Sequence, residues 1–514
     1  MTSAANDQTP RRKILSIEAV ASEISACKAR GQTVVHCHGV FDPMHIGHIR
    51  HFAAARELGD VLVVTVTPDR FVNKGPHRPV FPEDLRAEAI ASLEIVDFVA
   101  VNRWPMAIET IVTLQPDIFV KGSEFRGGKD LTGAIALEEN AVRSVGGRLE
   151  FTDDVTYSAS HLVNRHLSVF SQDVSDYLTD FSNRYQTDEI LKFLEKSRSL
   201  KVLVVGETII NDDQYVEAIG KSSKEPTLVV KALSSERFAG GAAAIANHVA
   251  GFCDHVVLHS ILGEVNSEEA FIRSRLKDNV EPRFLFREKS PTIVKRRFVE
   301  QYFFSKLLEV NELNDAIPTA DESQQWTSAL AGRLAEFDVV IVADFGHGFL
   351  TRETIELLSR ESRFLVVNTQ SNAANLGYHV ISNYPRADYV SISEHEMRLD
   401  SRDRRGNLRP MIERVANRLN CPRVIVTRGN KGCSVYRSGA GHLDVPAFAS
   451  QVVDRIGAGD AFLAITSLCA VQDAPMEVLG FIGNVVGAQA VATAGNKASI
   501  DRVPLYRHIE HLLK

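Results

Sequence analysis

Two stretches of the sequence carry residue types suited to phosphate chemistry. The first is GVFDPMHIGH, residues 39–48, with Gly39 and Phe41 ahead of His45 and His48. The two histidines stand three apart around Gly47, between an apolar strand-like run and a helical pattern. A strand-to-helix turn directs backbone N–H groups and the positive end of a helix dipole at one spot, which makes an anion site. Gly47 lets a phosphate approach the backbone closely. Imidazoles there can bond α- and β-phosphate oxygens and stabilise charge as the bond at the α-phosphorus breaks. Placement suffices, with no covalent intermediate. Two helix-capping histidines are the plain alternative. The second stretch is DRIGAGDAF, residues 454–462. Gly457, Ala458 and Gly459 lead into a predicted helix over 460–471 and form a backbone nest for a transferring phosphate. Asp460 follows at once, placed to take the proton of an attacking sugar hydroxyl.

Neither pattern stands alone. NKGPHRP (73–79) offers Lys74 and Arg78 after the next strand, and YSASHLVNR (157–165) offers Ser158, Ser160 and Arg165 at a helix start. These clusters fall at strand C-termini or helix N-termini, where open α/β sheets bind ligands. Around the second stretch, AGGAAAIAN (239–247) places Gly240, Gly241 and Asn247 at a glycine-rich helix start on the substrate side. VTRGNKG (426–432) places Thr427 and Gly429 after a strand, and SEHE (393–396) supplies Glu396 where Mg²⁺ would be organised. His347 in DFGHGFL is expected to line a nucleotide or phosphate loop rather than act as a base. Glu394 and His395 read as a solvated helix start, with metal ligation as the alternative. The basic runs Arg11–Lys13, Lys295–Arg297 and Arg404–Arg405 read as solvated faces.

The elements that must position these residues alternate strand and helix almost throughout, the pattern of parallel α/β layers. A helix at about 16–30 precedes TVVHCHGVF (strand), 46–58 (helix), VLVVTVT (strand), 82–93 (helix), FVAVN (strand), 105–114 (helix), DIFVKG (strand) and RLEFTD (strand). Residues 1–30 read as a polar tail and first helix, 31–170 as one domain, 171–199 as a helical linker and 200–514 as a second domain. The second domain opens on KVLVVGETII. It carries a strand-rich insert (QYVEAIG, PTLVVKAL, TIVKRRFVE, KLLEVNEL) that alternates like exposed strands rather than buried parallel ones.

Composition narrows the classes. The chain has 514 residues, 44% apolar and 24% charged, with a net charge of −7. That is enough for two or three ordinary globular domains, and no basic field suits the molecule to nucleic acid. Six scattered cysteines without a CxxC pair give neither a disulfide framework nor a zinc signature. A reduced, cytoplasmic compartment is expected. The polar start MTSAANDQTPRRK is not followed by a signal-peptide core, and no run of about 18 apolar residues suggests a membrane span.

The first constellation resembles the cytidylyltransferase-like nucleotidyltransferases, a Rossmann-like fold, over about 34–168. The resemblance implies that His45 and His48 contact the nucleotide phosphates. It implies that Ser158, Ser160 and Arg165 close on the triphosphate, although Ala159 stands where threonine is usual. VKGSEF (120–125) is similar to the segment that holds an acceptor phosphate, which would make Lys121 a substrate residue. The second constellation resembles the ribokinase/phosphofructokinase-B sugar kinases over about 200–512. There the resemblance makes Asp460 the base, Gly457–Gly459 the anion hole, Glu396 the acidic end of a magnesium motif, and the strand-rich insert a lid that forms a dimer clasp in some members. Ser393 replaces the usual asparagine of that motif, and Ile456 the usual threonine. In GETIIND, Glu207 and Asn211 occupy positions commonly held by substrate-side aspartates, with Asp212 and Asp213 just beyond.

Together the halves are similar to the bifunctional heptose kinase/adenylyltransferases of surface-polysaccharide synthesis, with the two blocks in reverse order. This implies ATP and Mg²⁺ at the kinase, ATP or CTP at the transferase, a nucleotide-activated sugar as product, and a homodimer through the lid. No nucleic acid or membrane partner is expected. An active transferase fused to a catalytically weak, sugar-binding kinase-like module is the alternative.

Overall fold

The computed structural model describes residues 10–72, 79–123, 134–152, 170–302, 304–373, 375–495 and 497–513. The chain divides into two compact units, Met1–Val169 with Glu510–Lys514, and Phe170–Ile509.

The first unit is built on five parallel strands: β1 (Val34–Gly39), β2 (Val61–Val66), β3 (Phe98–Val101), β4 (Ile118–Gly122) and β5 (Arg148–Thr152). They lie in the order β3-β2-β1-β4-β5, so the order reverses between β1 and β4, the position at which such sheets bind ligands. Helix α1 (Ile17–Ala29) shows why the helices form where they do. Ser16 caps it by accepting from the Ala19 N–H, and Ile17, Val20, Ile24 and Cys27 recur at helical spacing on its buried face. That face packs on Val34, Val61 and Val63, while the opposite sheet face buries Val35, Cys37, Leu62 and Val64 against Phe52 and Ala55 of α2 (Ile46–Arg56) and Ala87 and Ile90 of α3 (Glu83–Ala91). Helices α4 (Ile108–Leu114) and α5 (Ala134–Ser144) complete the described part.

In the second unit, β6 (Val202–Lys221) is twenty residues long and belongs to two layers. Its first half lies in the core sheet, parallel to β8 (Val256–Val265) and β12 (Val339–Asp344). The core continues through β13 (Leu365–Thr369), β14 (Tyr389–Ser393) and β15 (Arg423–Thr427), all parallel, to the antiparallel β16 (Cys433–Arg437) and β17 (Gly441–Val445). Strand β9 (Val280–Pro291) runs beside β8. The second half of β6 forms an outer layer with antiparallel β7 (Leu228–Gly241), parallel β10 (Ile293–Glu300) and β11 (Ser305–Glu312), which is antiparallel to β10. The insert is thus strand-rich as expected, but β10 is a half-buried parallel strand. Exposed apolar side chains mark this layer: Ile219, Leu228, Leu233, Leu308 and Val310.

The segment expected as a linker packs on this unit instead. Phe181, in the helix Gln172–Arg184, stacks on Phe481 with ring centroids 4.4 Å apart, and Arg184 bridges to buried Glu477 at 2.7 Å. The helix Thr187–Lys196 buries Ile190, Leu191 and Leu194. Polar outer faces gave these helices the look of a linker, while one apolar stripe suffices to dock each of them.

Candidate functional sites

In the first unit the GVFDPMHIGH stretch leaves β1 and enters α2. His45 is the N-cap of α2, and its Nδ1 accepts from the Gly47 N–H at 3.1 Å. The ring proton therefore sits on Nε2, which makes His45 a donor. Capping and ligand binding are compatible here, since they use opposite ring nitrogens. The His45 and His48 rings stack with centroids 3.9 Å apart, and Phe41 meets His48 edge-on at 5.4 Å. Phe41 has a φ of +50°, and its ring fills the space a side chain on Gly39 would need, at 2.9 Å. Gly39 thus serves packing as well as backbone approach.

Arg86 organises this turn and was not singled out from the sequence. Its side chain is buried; it donates to the carbonyls of Val40 (2.6 Å), Thr67 (2.8 Å) and Phe81 (2.9 Å) and pairs with Asp69. Asp42 accepts from the Val80 and Phe81 N–H groups at 2.6 and 2.9 Å. Lys121, at the end of β4, pairs with buried Glu138 at 2.8 Å. Lys74, Arg78, Ser158, Ser160 and Arg165 lie outside the described residues.

In the second unit Gly457 is the N-cap of the helix Ala458–Ala470, with φ of +79°, so the small residues start a helix as expected. A side chain on Gly459 would meet nothing within 4 Å, which leaves its backbone open to a ligand. Asp460 is buried, and its Oδ1 accepts from Gln370 Nε2 at 2.7 Å. Burial raises the Asp460 carboxyl to about 7 against the opposing pull of Gln370 and Lys295, with Glu396 adding to the rise. Such a carboxyl is poised to exchange a proton near neutral pH.

Lys295, on β10, carries the correction to the basic-run reading. Burial lowers its ammonium pKa, while Glu309, Glu207 and Asp460 act the other way. Lys295 is half-buried; Arg297 on the same face is buried, bonded to Glu309 at 2.7 Å and to Asn211 Oδ1 at 2.9 Å. Only Arg296, on the opposite face, matches the solvated picture in part; it pairs with Asp212 and Glu312. A strand alternates its faces, so a run of three charges cannot all face water when one face is covered.

Several expected substrate residues are committed to the protein. Glu207 is fully buried and accepts from the Phe345 and His347 N–H groups, both at 3.0 Å. Burial and the neighbouring Asp344 raise its carboxyl to about 7. Asp344 in turn accepts from Tyr384 at 2.8 Å and pairs with His379 at 3.1 Å. Burial alone would deprotonate His379, but Asp344 outweighs it and lifts its pKa to about 9. Together these groups set the 344–347 turn, and burial lowers His347 to about 4, which keeps it neutral. Asn247 bonds the Arg275 carbonyl and the Lys277 N–H at 2.8 and 2.9 Å. Side chains at Gly240 and Gly241 would strike Asn211 and the Glu207 carbonyl at 2.3 and 2.4 Å, so close packing on β6 requires both glycines. Glu396 closes a capping box with Ser393, accepting from its N–H (2.8 Å) and hydroxyl (2.7 Å), and lies near the Ser371 N–H (3.3 Å). The S-x-x-E spacing was the sequence sign of that box. Thr427 ends β15, and Gly429 beyond it adjoins open space, with φ of +59°. Glu394 is bonded to Arg398 and Arg428 rather than solvated.

Among the described residues no group of three or more His, Cys, Asp or Glu side chains is arranged to hold a metal, and no helix is long and apolar enough to cross a membrane.

Comparison with known proteins matches a family to each of the two regions. A family model for the pfkB family carbohydrate kinases matches residues 199–502, and one described as cytidylyltransferase-like matches residues 36–158. Relatives named "Bifunctional protein HldE" include those of Syntrophotalea carbinolica, 36% identical over 163 residues, and Campylobacter fetus, 37% identical over 139 residues. These matches cover 31% and 27% of this chain and 32% and 30% of the relatives, so the similarity spans about a third of their length. Phosphofructokinase-2 from Escherichia coli, solved with fructose-6-phosphate, superposes with a TM-score of 0.50 at 14% identity, covering 61% of this chain and all of that one, a likeness of fold.

Proposed function

The chain belongs to the pfkB family of carbohydrate kinases, and from that premise we propose that it is a bifunctional enzyme making a nucleotide-activated sugar. The kinase unit phosphorylates a sugar, in our reading a heptose derivative, with ATP. The transferase unit joins a nucleotidyl group from ATP or CTP to the sugar 1-phosphate and releases pyrophosphate. The observation that carries the kinase half is Asp460, a buried carboxyl raised to about 7 at the start of a glycine-rich helix.

In this reading Asp460 takes the proton from the sugar hydroxyl as its oxygen attacks the γ-phosphorus, and Gln370 holds the carboxylate in line. The Gly457–Gly459 backbone receives charge on the transferred phosphoryl group. Lys295 supplies a cation from the outer layer. Mg²⁺ bound by one or two carboxylates and substrate phosphates needs no cage of protein ligands. Glu396, close enough for its charge to shift Asp460, would fit that role, which leaves Asp460 free as the base. The ion supplies charge neutralisation of the phosphates.

At the transferase, the Nε2–H of His45 and the stacked His48 meet the α- and β-phosphates. Lys74, Arg78, Ser158, Ser160 and Arg165 complete the nucleotide site, and Lys121 faces the acceptor. A cytoplasmic homodimer joined through the exposed apolar residues of the outer layer fits the same reading.

The test is a screen of nucleoside triphosphates against sugar 1-phosphates, identifying products by mass, together with sugar-dependent ADP formation. Glu396 engaged in a capping box and Asn211 bonded to Arg297 favour a second reading, an active transferase with a catalytically weak kinase module. Transferase activity without ADP formation for any sugar bound by the protein would select it.

A further inference from the structure

On the sheet face of the first unit that carries α1, four side chains form an unbroken hydrogen-bond chain. His36 Nε2 lies 2.7 Å from Thr65 Oγ1; Thr65 Oγ1 lies 2.9 Å from His38 Nδ1; His38 Nε2 lies 3.2 Å from Thr67 Oγ1. The register explains the alignment, since His38 sits opposite Thr65 across the β1–β2 pair and His36 and Thr67 follow at alternate positions.

The chain has a direction. His36 is fully buried, its ring lies against Phe119, and among the described residues its Nδ1 has no partner. A neutral imidazole carries one proton. A proton on Nδ1 would be a buried donor without an acceptor, the rarer and costlier arrangement. The proton therefore sits on Nε2 and is donated to Thr65. With Thr65 donating its hydroxyl hydrogen to His38 Nδ1, the His38 proton stands on Nε2 and is donated to Thr67. Both rings are kept neutral, chiefly by burial and also by Lys121.

At the end of the chain the Thr67 oxygen is an acceptor, so its hydrogen points onward. Thr67 is almost fully buried. Its N–H donates to the Gly39 carbonyl at 2.9 Å and its carbonyl accepts from Arg86, so the backbone is held on both sides. Among the described residues, no protein acceptor receives that hydroxyl hydrogen. Thr67 lies just past the C-terminal end of β2, beside the glycine that opens the GVFDPMHIGH turn.

We propose that the His36–Thr65–His38 chain fixes the Thr67 hydroxyl as a donor to an oxygen of the acceptor sugar phosphate, making Thr67 a substrate-binding residue and His38 its positioning residue. This rests on the transferase reading above and adds an acceptor subsite to it. The acceptor is assigned here because Lys121, the acceptor residue of that reading, lies over the Phe119 ring that meets His36, on the strand beside this chain of side chains.

The experiment uses the full chain, ATP and CTP, and a panel of hexose and heptose 1-phosphates, with pyrophosphate release as readout. Thr67→Val keeps the shape and removes the donor. It should raise the KM for the sugar phosphate about tenfold, the scale of one lost hydrogen bond, with the KM for the nucleotide within twofold of wild type. Thr67→Ser should recover most of the loss, which a packing defect would not. In ¹⁵N-histidine spectra of the unliganded protein, His36 and His38 should both show the Nε2–H tautomer. A His38 proton on Nδ1, or a Thr67→Val enzyme with unaltered sugar-phosphate KM, overturns the inference while leaving the transferase reading intact. A wild-type protein that turns over no sugar phosphate with either nucleotide overturns both.

Discussion

Replacing Asp460 by asparagine separates what the residue does for chemistry from what it does for stability. The side chain keeps its size and can still accept from Gln370. As the proposed base it is lost, and sugar-dependent ADP formation should fall by about 10²–10⁴-fold. Stability should move the other way. The folded carboxyl titrates at about 7 against an ordinary value of 3.8. The folded state therefore holds its proton more tightly than the unfolded chain, and wild type loses stability as pH rises from about 4 to 7. Three pKa units at about 1.4 kcal/mol each make that loss about 4 kcal/mol for a fully buried carboxyl. Asparagine cannot ionise and escapes it. Urea unfolding of the Phe170–Ile509 unit should show the variant several kcal/mol more stable than wild type at pH 8 and only about 1 kcal/mol more stable at pH 4.5. The wild-type kinase should show the same titration, with kcat/KM rising about tenfold from pH 6 to pH 8. A variant with intact ADP formation refutes the base assignment. A variant whose advantage does not grow with pH refutes the electrostatic reasoning, whatever the kinase does.

Other outcomes follow from the same geometry. His48→Ala should lower pyrophosphate release by about 10²–10³-fold and spare the kinase, and mixing it with Asp460→Asn should restore conversion of free sugar to nucleotide sugar through a diffusing intermediate. Arg86→Met should destabilise the first unit by about 3 kcal/mol, since it strands three carbonyls in a largely buried turn; a shift of the urea midpoint by less than a third of that would count against the role assigned to Arg86. The second unit should be most stable near pH 6.5: Glu207, Asp460 and His379 bind protons more tightly when folded and lose stability as pH rises toward 7 and 9, whereas His248, His259 and His347, lowered to about 4, lose it as pH falls. Thermal midpoints across pH 5–9 check the position of that maximum. A piece starting at residue 170 should unfold cooperatively in urea and one starting at residue 186 should be less stable, because Phe181 and Arg184 pack on the second unit.

The legible parts of this protein were those whose chemistry is local in the chain. His45, Gly47 and His48 share one turn, and Gly457 to Asp460 share another, so type and spacing sufficed. Strand and helix order was equally visible, because burial imposes periods of 2 and 3.6 on short windows. Arg86 and Gln370 were not visible. Arg86 bonds the Val40 carbonyl 46 positions away and Gln370 bonds Asp460 90 positions away, and neither leaves a mark on its neighbours. Lys295 and Arg297 were misread because three successive charges look like a surface until strand alternation is applied. Glu207 and Asn247 show a different ambiguity: a polar residue near a glycine-rich turn suits a ligand and a backbone amide equally well, and in the folded chain both bond backbone groups. Only the folded chain shows which of the two is present.

The double membership of β6 has a mechanical consequence. Its core ladder ends at Glu207, beside β8 and β12, and its outer ladder with β7 and β10 begins at Thr208 and Ile209, with no loop between them. The outer layer is thus cantilevered from the core by a continuous beam, and any tilt of that layer flexes the beam at its root. The root is where Glu207 grips the 344–347 turn and where Asn211 meets Arg297. A load on the outer layer, from a bound sugar or from a second copy of the chain, is delivered as torque to those hydrogen bonds. Amide hydrogen exchange at Phe345 and His347 would then work as a strain gauge for events on strands that neither residue touches.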